Sequence, residues 1–270
     1  MNHLIPSQGQ TPTIPWGTKP KAIGVHTSRT IMSNELSIIF SKISSENAVF
    51  EDYKTFVLER NGLALHTQSN REITWKNLVQ LYGFTDTPLF RNFKRLWPRL
   101  QEQERPVLAL VYAASRDSIL RSTIPLVRDM PIRTLVNSRL FLDHIEQTFP
   151  DRYSKATARS TSQALFSSWT HAHWLGGENQ VERPRRTAPV GAGSLALALF
   201  IAWTEGKRGD QLFGTEIVEL LLKEVGEPKA LLWEAHRNSF LNYYDSGGIS
   251  DIRFPGWLTT AEEEKLHGTL

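Results

Sequence analysis

Residues 154–169, SKATARSTSQALFSSW, are the most informative part of the sequence. Ser154 can cap a helix that continues to about residue 171, because a serine oxygen accepts hydrogen bonds from the first free N–H groups of a helix. At 100° per residue, one face of this helix carries Ala158, Thr161, Leu165 and Trp169, continued by Ala172. That face can pack on the preceding helix.

The opposite face of the predicted helix carries short polar side chains and few apolar ones. Its residues are Arg159, Ser160, Gln163 and Ser167, with Lys155 and Thr157 at the start of the helix and Arg152 just before it. Short side chains allow a helix to lie deep in a major groove, where Gln pairs with adenine, Arg with guanine, and Ser with base edges or phosphate. The N–H groups of the first turn favour a phosphate nearby. An ordinary polar surface helix is the alternative.

The segments around this helix follow the order of a winged helix-turn-helix. A helix predicted at 133–148, with Leu135, Phe141 and Ile145 inward, precedes it. Trp174-Leu175, a Gly176-Gly177 turn and the basic segment ERPRR at 182–186 follow it and predict a hairpin. As a wing, this segment would place three cations along a DNA backbone: Arg183, Arg185 and Arg186. The alternative is an ordinary basic loop.

Apolar spacing predicts helices through most of the remaining chain. They lie near 31–43, 49–58, 75–82, 106–127, 194–205, 213–224 and 228–240. Pro125 should end or kink the fourth of them, and residues around Ser246-Gly247-Gly248 predict a second hairpin. The aromatic side chains of the basic segment 89–100 are expected in the core: Phe90, Phe93 and Trp97.

The predicted fold class is mainly α, a helical N-terminal domain followed by a winged helix-turn-helix-like C-terminal part with short β-hairpins. The predicted divisions are a flexible N-terminal tail at 1–24, a helical domain at 25–130, a winged-helix-like domain at 131–258 and an acidic, solvated tail at 259–270. The start of the chain lacks the pattern of a secretory signal. The longest apolar run, 195–203, is too short to cross a bilayer.

Charge is segregated along a chain whose net charge is only +3. Segment 88–133 carries a net charge of +5, segment 150–190 carries +3, and segment 210–270 carries −6. This distribution suggests a polyanion on one face, with a protein partner or simple solvation for the acidic end. The chain has no cysteine, which excludes disulfides and thiolate sites and fits a cytoplasmic location. His171-x-His173 lacks a third ligand, so no metal, cofactor or catalytic motif is predicted.

Several stretches carry a family resemblance that covers residues 25–257. They are HTSRTIMSNELSIIF (26–40), VYAASRDSILRSTIPLV (111–127), RYSKATARSTSQALFSSWTHAHWL (152–175), SLALALFIAWTEGKRGDQLF (194–213) and ALLWEAHRNSFLNYYDSGGISDIRFPGW (230–257). Together they resemble the BrxA family of BREX (bacteriophage exclusion) defence systems. The resemblance implies an all-helical protein with winged-helix-like parts, an N-terminal region similar to the RNA-binding antitermination factor NusB, and a non-enzymatic role beside other defence proteins. The family has also been labelled an inner-membrane protein, which the hydropathy of this chain argues against.

We therefore expect a cytoplasmic, non-enzymatic protein that binds double-stranded DNA within an anti-phage defence system. The helix at 154–170 would enter the major groove and the 182–186 loop would contact phosphate. Two alternatives stay open: RNA binding through the basic N-terminal half, and an assembly module whose acidic C-terminal third docks other BREX proteins. No membrane partner is expected.

Overall fold

The computed structural model describes residues 16–19, 29–177, 179, 181–247 and 249–266, with only the backbone of residue 249. The fold is mainly helical, with two small antiparallel two-stranded sheets among these residues. Of the tail predicted at 1–24, only residues 16–19 are described, and these are not a free tail: the ring of Trp16 meets that of Trp203 edge to face at 5.6 Å, and the N–H of Lys19 donates to the carbonyl of Ser115 at 2.8 Å. No helix in the described part of the chain is both long and apolar enough to cross a membrane.

The first part of the chain forms seven α-helices within the described residues. They are α1 (Ser33–Lys42), α2 (Phe50–Lys54, continued by a π-helical segment at Thr55–Glu59), α3 (Gln68–Tyr82), α4 (Pro88–Leu96), α5 (Arg105–Ala114), α6 (Ser118–Ser122) and α7 (Ile124–Arg128). Short 3₁₀ turns at Trp97–Arg99 and Glu102–Glu104 connect α4 to α5. Phe90, Phe93 and Trp97 are buried, as predicted.

The second part combines helices with both small sheets. Its elements are β1 (Leu135–Val136), α8 (Ser138–Thr148), α9 (Lys155–His171), β2 (Arg183–Pro184), α10 (Ala192–Thr204), α11 (Glu216–Lys223), α12 (Pro228–Arg237), β3 (Asn242–Ser246), β4 (Ile249–Arg253) and α13 (Thr260–Leu266). A 3₁₀ turn at Gly209–Leu212 lies between α10 and α11. Strands β3 and β4 pair antiparallel from Asn242↔Arg253 to Ser246↔Ile249, which confirms the second predicted hairpin.

Helix α10 lies at the centre of the hydrophobic core. Residues 192–202 are all buried, because this helix packs on α4 and α5 as well as on α11 and α12. The core is one cluster that extends from Ile31 to Trp257. The predicted domain division at residue 130 stays a prediction, and α10 contacts helices on both sides of it.

Two predicted helices are interrupted in the structure. The helix predicted at 133–148 is replaced by strand β1 and a shorter helix, α8, because Asn137 caps α8 by accepting a hydrogen bond from the N–H of Arg139 at 3.0 Å. Leu135, expected inward, is exposed. The helix predicted at 106–127 breaks before Asp117, whose carboxylate caps α6.

The acidic C-terminal segment begins with a folded helix. Glu262 of α13 accepts the backbone N–H of Thr259 at 2.9 Å and forms an ion pair with Arg91 of α4. Its side chain is only 16% exposed. The prediction of a solvated tail is therefore wrong for Glu262, while residues 267–270 lie outside the described residues.

Candidate nucleic-acid interface

Helix α9 has the boundaries, the cap and the buried face that the sequence predicts. The Oγ atom of Ser154 accepts a hydrogen bond from the N–H of Thr157 at 3.2 Å. The predicted inward residues are all buried: Ala158, Thr161, Leu165, Trp169 and Ala172. Helix α9 packs on α8.

The buried side of α9 is wider than the sequence analysis expects, and polar contacts fix the helix in place. Ser168 is fully buried, and its Oγ atom accepts the backbone N–H of Ile31 at 3.1 Å. The indole N–H of Trp169 donates to the Oγ1 atom of Thr123 at 2.9 Å. These contacts attach α9 to the N-terminal part of the chain, so its outer face is presented by a rigid support.

The outer face of α9 presents most of the predicted contact residues to solvent. Those exposed are Arg152, Lys155, Arg159, Ser160 and Gln163, while Thr157 and Ser167 are half-buried. The guanidinium group of Arg152 lies 5.5 Å from the ring centre of Phe149, which orients this cation at the start of the helix. In the described part of the chain, none of Arg152, Lys155 and Arg159 forms an ion pair with a carboxylate.

The basic segment after α9 forms a strand, but its main partner differs from the prediction. Strand β2 pairs with β1, with Val136 opposite Arg183. Leu175 forms a single antiparallel bridge with Arg185 on the other side. The predicted hairpin is therefore reduced to this single bridge, and the main partner of β2 is β1, which was predicted as part of a helix.

The three arginines of this segment have different environments. Arg186 is exposed. Its side chain lies directly against Gly176, because a Cβ atom added to this glycine would be only 2.7 Å from the Arg186 Cδ. Arg183 is half-buried, with its guanidinium group 5.5 Å from the ring centre of Phe166. Arg186 therefore remains on the surface beside α9, whereas Arg183 is partly covered, and its Nε atom is buried.

Arg185 must be removed from the predicted contact set. Its side chain is 2% exposed and forms an ion pair with Glu224, whose side chain is also 2% exposed. Arg185 Nε also donates to the carbonyl of Val127 at 3.2 Å. Glu224 accepts further hydrogen bonds from the indole N–H of Trp174 at 3.0 Å and from the N–H of Ala188 at 2.9 Å. Arg185 therefore holds the strand against α11 and cannot reach phosphate.

The structure adds Arg133, which sequence reasoning did not assign to the site. Its backbone N–H donates to the carbonyl of Arg185 at 2.8 Å, and the residue is exposed beside β2. Its φ of 73° is a left-handed conformation that ends the turn before β1. A prediction of strand β1 would have identified Arg133, because the pairing of β1 with β2 brings this residue next to segment 182–186.

Some of the segregated charges pair with one another inside the fold. Arg121 contacts Glu205 and also Glu216, the latter at 2.6 Å. Arg128 pairs with Glu219 and Arg185 with Glu224. Acidic residues of the last third thus serve as internal partners of basic residues from the middle of the chain.

Neither a grouping of metal ligands nor a similarity to known proteins assigns a role to this site. Among the described residues, no three His, Asp or Glu side chains are grouped as metal ligands would be. No family model, no curated protein and no solved structure matches this chain. The resemblance to the BrxA family therefore stays an expectation from the sequence.

Proposed function

We propose that this protein binds double-stranded DNA, with α9 in the major groove and Arg183 and Arg186 against the adjacent backbone. The observation that carries the proposal is the outer face of α9. There a guanidinium, an amide and a hydroxyl (Arg159, Gln163 and Ser160) project from one exposed face of a firmly held helix. These groups match the donors and acceptors on base edges.

The arrangement around α9 supports this assignment. Helices α8 and α9 pack together, and β2 lies between β1 and Leu175 in the order expected for a winged unit. In such units the second helix enters the groove while neighbouring segments contact the sugar–phosphate backbone. No catalytic role forms part of the proposal.

A role in anti-phage defence is the second part of the proposal, and it rests on the resemblance to the BrxA family alone. Loss of the protein should raise the plating efficiency of phages on its host. Restoration of the gene should reverse the change, and a gene encoding Arg159→Ala and Arg186→Ala together should not. Unchanged plating after loss of the protein would contradict this part and leave DNA binding untouched.

The direct test is fluorescence anisotropy with duplex DNA, single-stranded DNA and RNA of equal length over a salt series. If about five basic groups contact phosphates, log affinity for duplex should fall with log salt at a slope of about −4.5. The double variant Arg183→Ala, Arg186→Ala should flatten this slope by about 2. Lys76→Ala, an exposed cation on α3, is the matched control. No duplex binding at low salt, or an unchanged slope in the double variant, would contradict the proposal.

The two alternatives have less support from the structure. RNA binding through the N-terminal half could not use Arg91 or Arg121, because carboxylates engage both of these cations. Docking of a basic partner on the acidic last third would compete with the ion pairs of Glu216, Glu219 and Glu224. A clear preference for RNA in the same titration would favour the first alternative over the DNA proposal.

A further inference from the structure

A cleft of about 670 Å³ lies beside α4. Its walls come from residues 44–50, from residues 84–98 and from residues 256–259. Asn92 fixes the last wall, because its Nδ2 group donates to the carbonyl of Trp257 at 2.9 Å and to that of Pro88 at 2.7 Å. The volume lies within the range of about 300–1,000 Å³ that is typical of small-molecule sites.

Aromatic side chains form the apolar part of the cleft. Phe50, Phe84, Phe90 and Trp257 all line it. The rings of Phe84 and Phe90 meet edge to face with their centres 5.5 Å apart. Phe84, Phe90 and Trp257 are packed in the core at 2%, 4% and 1% exposure, whereas Phe50 is only half-buried. Phe50 is therefore the aromatic side chain that a flat ring could contact.

Cations from one face of α4 form the polar part of the cleft. The i, i+3 and i+4 spacing places Arg91, Lys94 and Arg95 together. Arg91 is already neutralised by Asp86, at 2.8 Å, and by Glu262. Lys94 and Arg95, in contrast, have no carboxylate within 4 Å in the described part of the chain.

The contacts of Lys94 and Arg95 leave donors available. Lys94 donates to the carbonyl of Ser45, and Arg95 Nη1 donates to the carbonyl of Gly256 at 3.1 Å. The Nε atom of Arg95 is buried and has no hydrogen-bond partner among the described residues. Burial lowers the pKa of both side chains, which means that their charged forms are incompletely solvated. A bound anion would provide the missing partner.

We propose that this cleft binds a small ligand in which a phosphate group is attached to a flat aromatic ring system, the chemistry of a nucleotide. The phosphate would lie at Lys94 and Arg95, and the ring would lie against Phe50. Exposed Glu46, also in the lining, can accept a hydrogen bond from an amino or hydroxyl group of the ligand. The cleft shares no residue with α9 or with segment 183–186, so this proposal is independent of DNA binding.

The test is calorimetric titration of the full chain with the four nucleoside monophosphates, with adenosine and with inorganic phosphate. At least one monophosphate should bind about tenfold more tightly than adenosine or inorganic phosphate alone, because it contacts both the apolar and the cationic part of the cleft. Lys94→Met and Arg95→Met keep the apolar stems and should each weaken binding about tenfold. Lys76→Met, outside the cleft, should leave binding unchanged. Circular dichroism spectra and melting temperatures establish that each variant is folded.

The same chemistry occurs in a free nucleotide and at the 5′ end of a nucleic-acid strand. A single-stranded oligonucleotide with a 5′ phosphate distinguishes these two ligands. If it displaces the bound monophosphate, the ligand is a strand end, and if it does not, the ligand is a free nucleotide. Absence of binding by all four monophosphates at millimolar concentration would overturn the proposal. Binding that neither Lys94→Met nor Arg95→Met weakens would overturn it as well.

Discussion

The outer face of α9 and the α6–α7 region are both rich in cations, but these cations have opposite environments. Lys155 and Arg159 extend into solvent without a carboxylate partner among the described residues. Arg121 and Arg128 instead form ion pairs with acidic residues of the last third of the chain. The same residue type thus supports the fold in one region and is available to a ligand in the other. Charge counts along the sequence cannot separate these roles.

The largest effect is expected where a cation is most deeply buried. Glu224→Gln removes the negative charge beside buried Arg185 and should lower the free energy of unfolding by about 3–5 kcal/mol, because an uncompensated charge is left in the interior. Urea denaturation measures this loss. Exposed Glu227→Gln is the control and should change stability by less than about 0.5 kcal/mol. A loss below about 1 kcal/mol for Glu224→Gln would show that the pair is not a structural link.

Arg121 and Arg159 should behave in opposite ways. Arg121→Ala leaves Glu205 and Glu216 without their guanidinium partner and should lower the free energy of unfolding by about 1.5–3 kcal/mol. The salt slope for duplex DNA should not change, because this arginine is engaged inside the molecule. Arg159→Ala, which removes a base contact, should instead weaken duplex binding by about 1–3 kcal/mol and leave stability within about 0.5 kcal/mol. The same result from both variants would contradict the distinction between the two regions.

The sequence predicts elements well where local signals agree with packing. For α9, the Ser154 cap and the apolar spacing point to the same boundaries, and the structure confirms them. The errors occur where a distant contact competes with a local pattern. Leu135 fits a helical spacing, but in the structure it pairs with Pro184 of β2, almost fifty residues later in the chain. The Asp117 cap, in contrast, was a local signal that periodicity concealed.

The candidate site shows the same limit at the level of side chains. Arg185 and Arg186 are adjacent in the sequence and identical in type, but one is buried on Glu224 and the other is exposed. Successive side chains of a strand point to opposite sides, so those of Arg185 and Arg186 point in opposite directions. Only the position of α11 decides which of the two is buried, and no local pattern contains that position.

Gln163 tests whether the exposed face recognises bases as well as phosphates. If its amide contacts an adenine, Gln163→Ala should reduce discrimination at one base pair of a selected duplex by about 1–3 kcal/mol. The salt slope should stay unchanged because no charge is removed. Competitive anisotropy with single base-pair substitutions measures the effect, and exposed Gln211→Ala is the control. Equal loss of affinity for all sequences would assign Gln163 to backbone contacts.

The smallest expected effect concerns His144, which lies between the two regions, with its Nε2 atom 3.1 Å from the Oγ atom of Ser122 in α6. Burial lowers the pKa of this imidazole below its ordinary value of about 6.5. The unfolded chain therefore binds a proton more readily than the folded protein does. As a result, the free energy of unfolding decreases as pH falls below about 6.5. His144→Gln should reduce the fall in unfolding free energy between pH 7.5 and pH 5.5, relative to the unsubstituted protein. The control variant His66→Gln, at an exposed position, still contains His144 and should keep the full pH dependence of the unfolding free energy. Identical pH profiles for His144→Gln and the unsubstituted protein would show that protonation of this group is not coupled to the packing of α8 on α6.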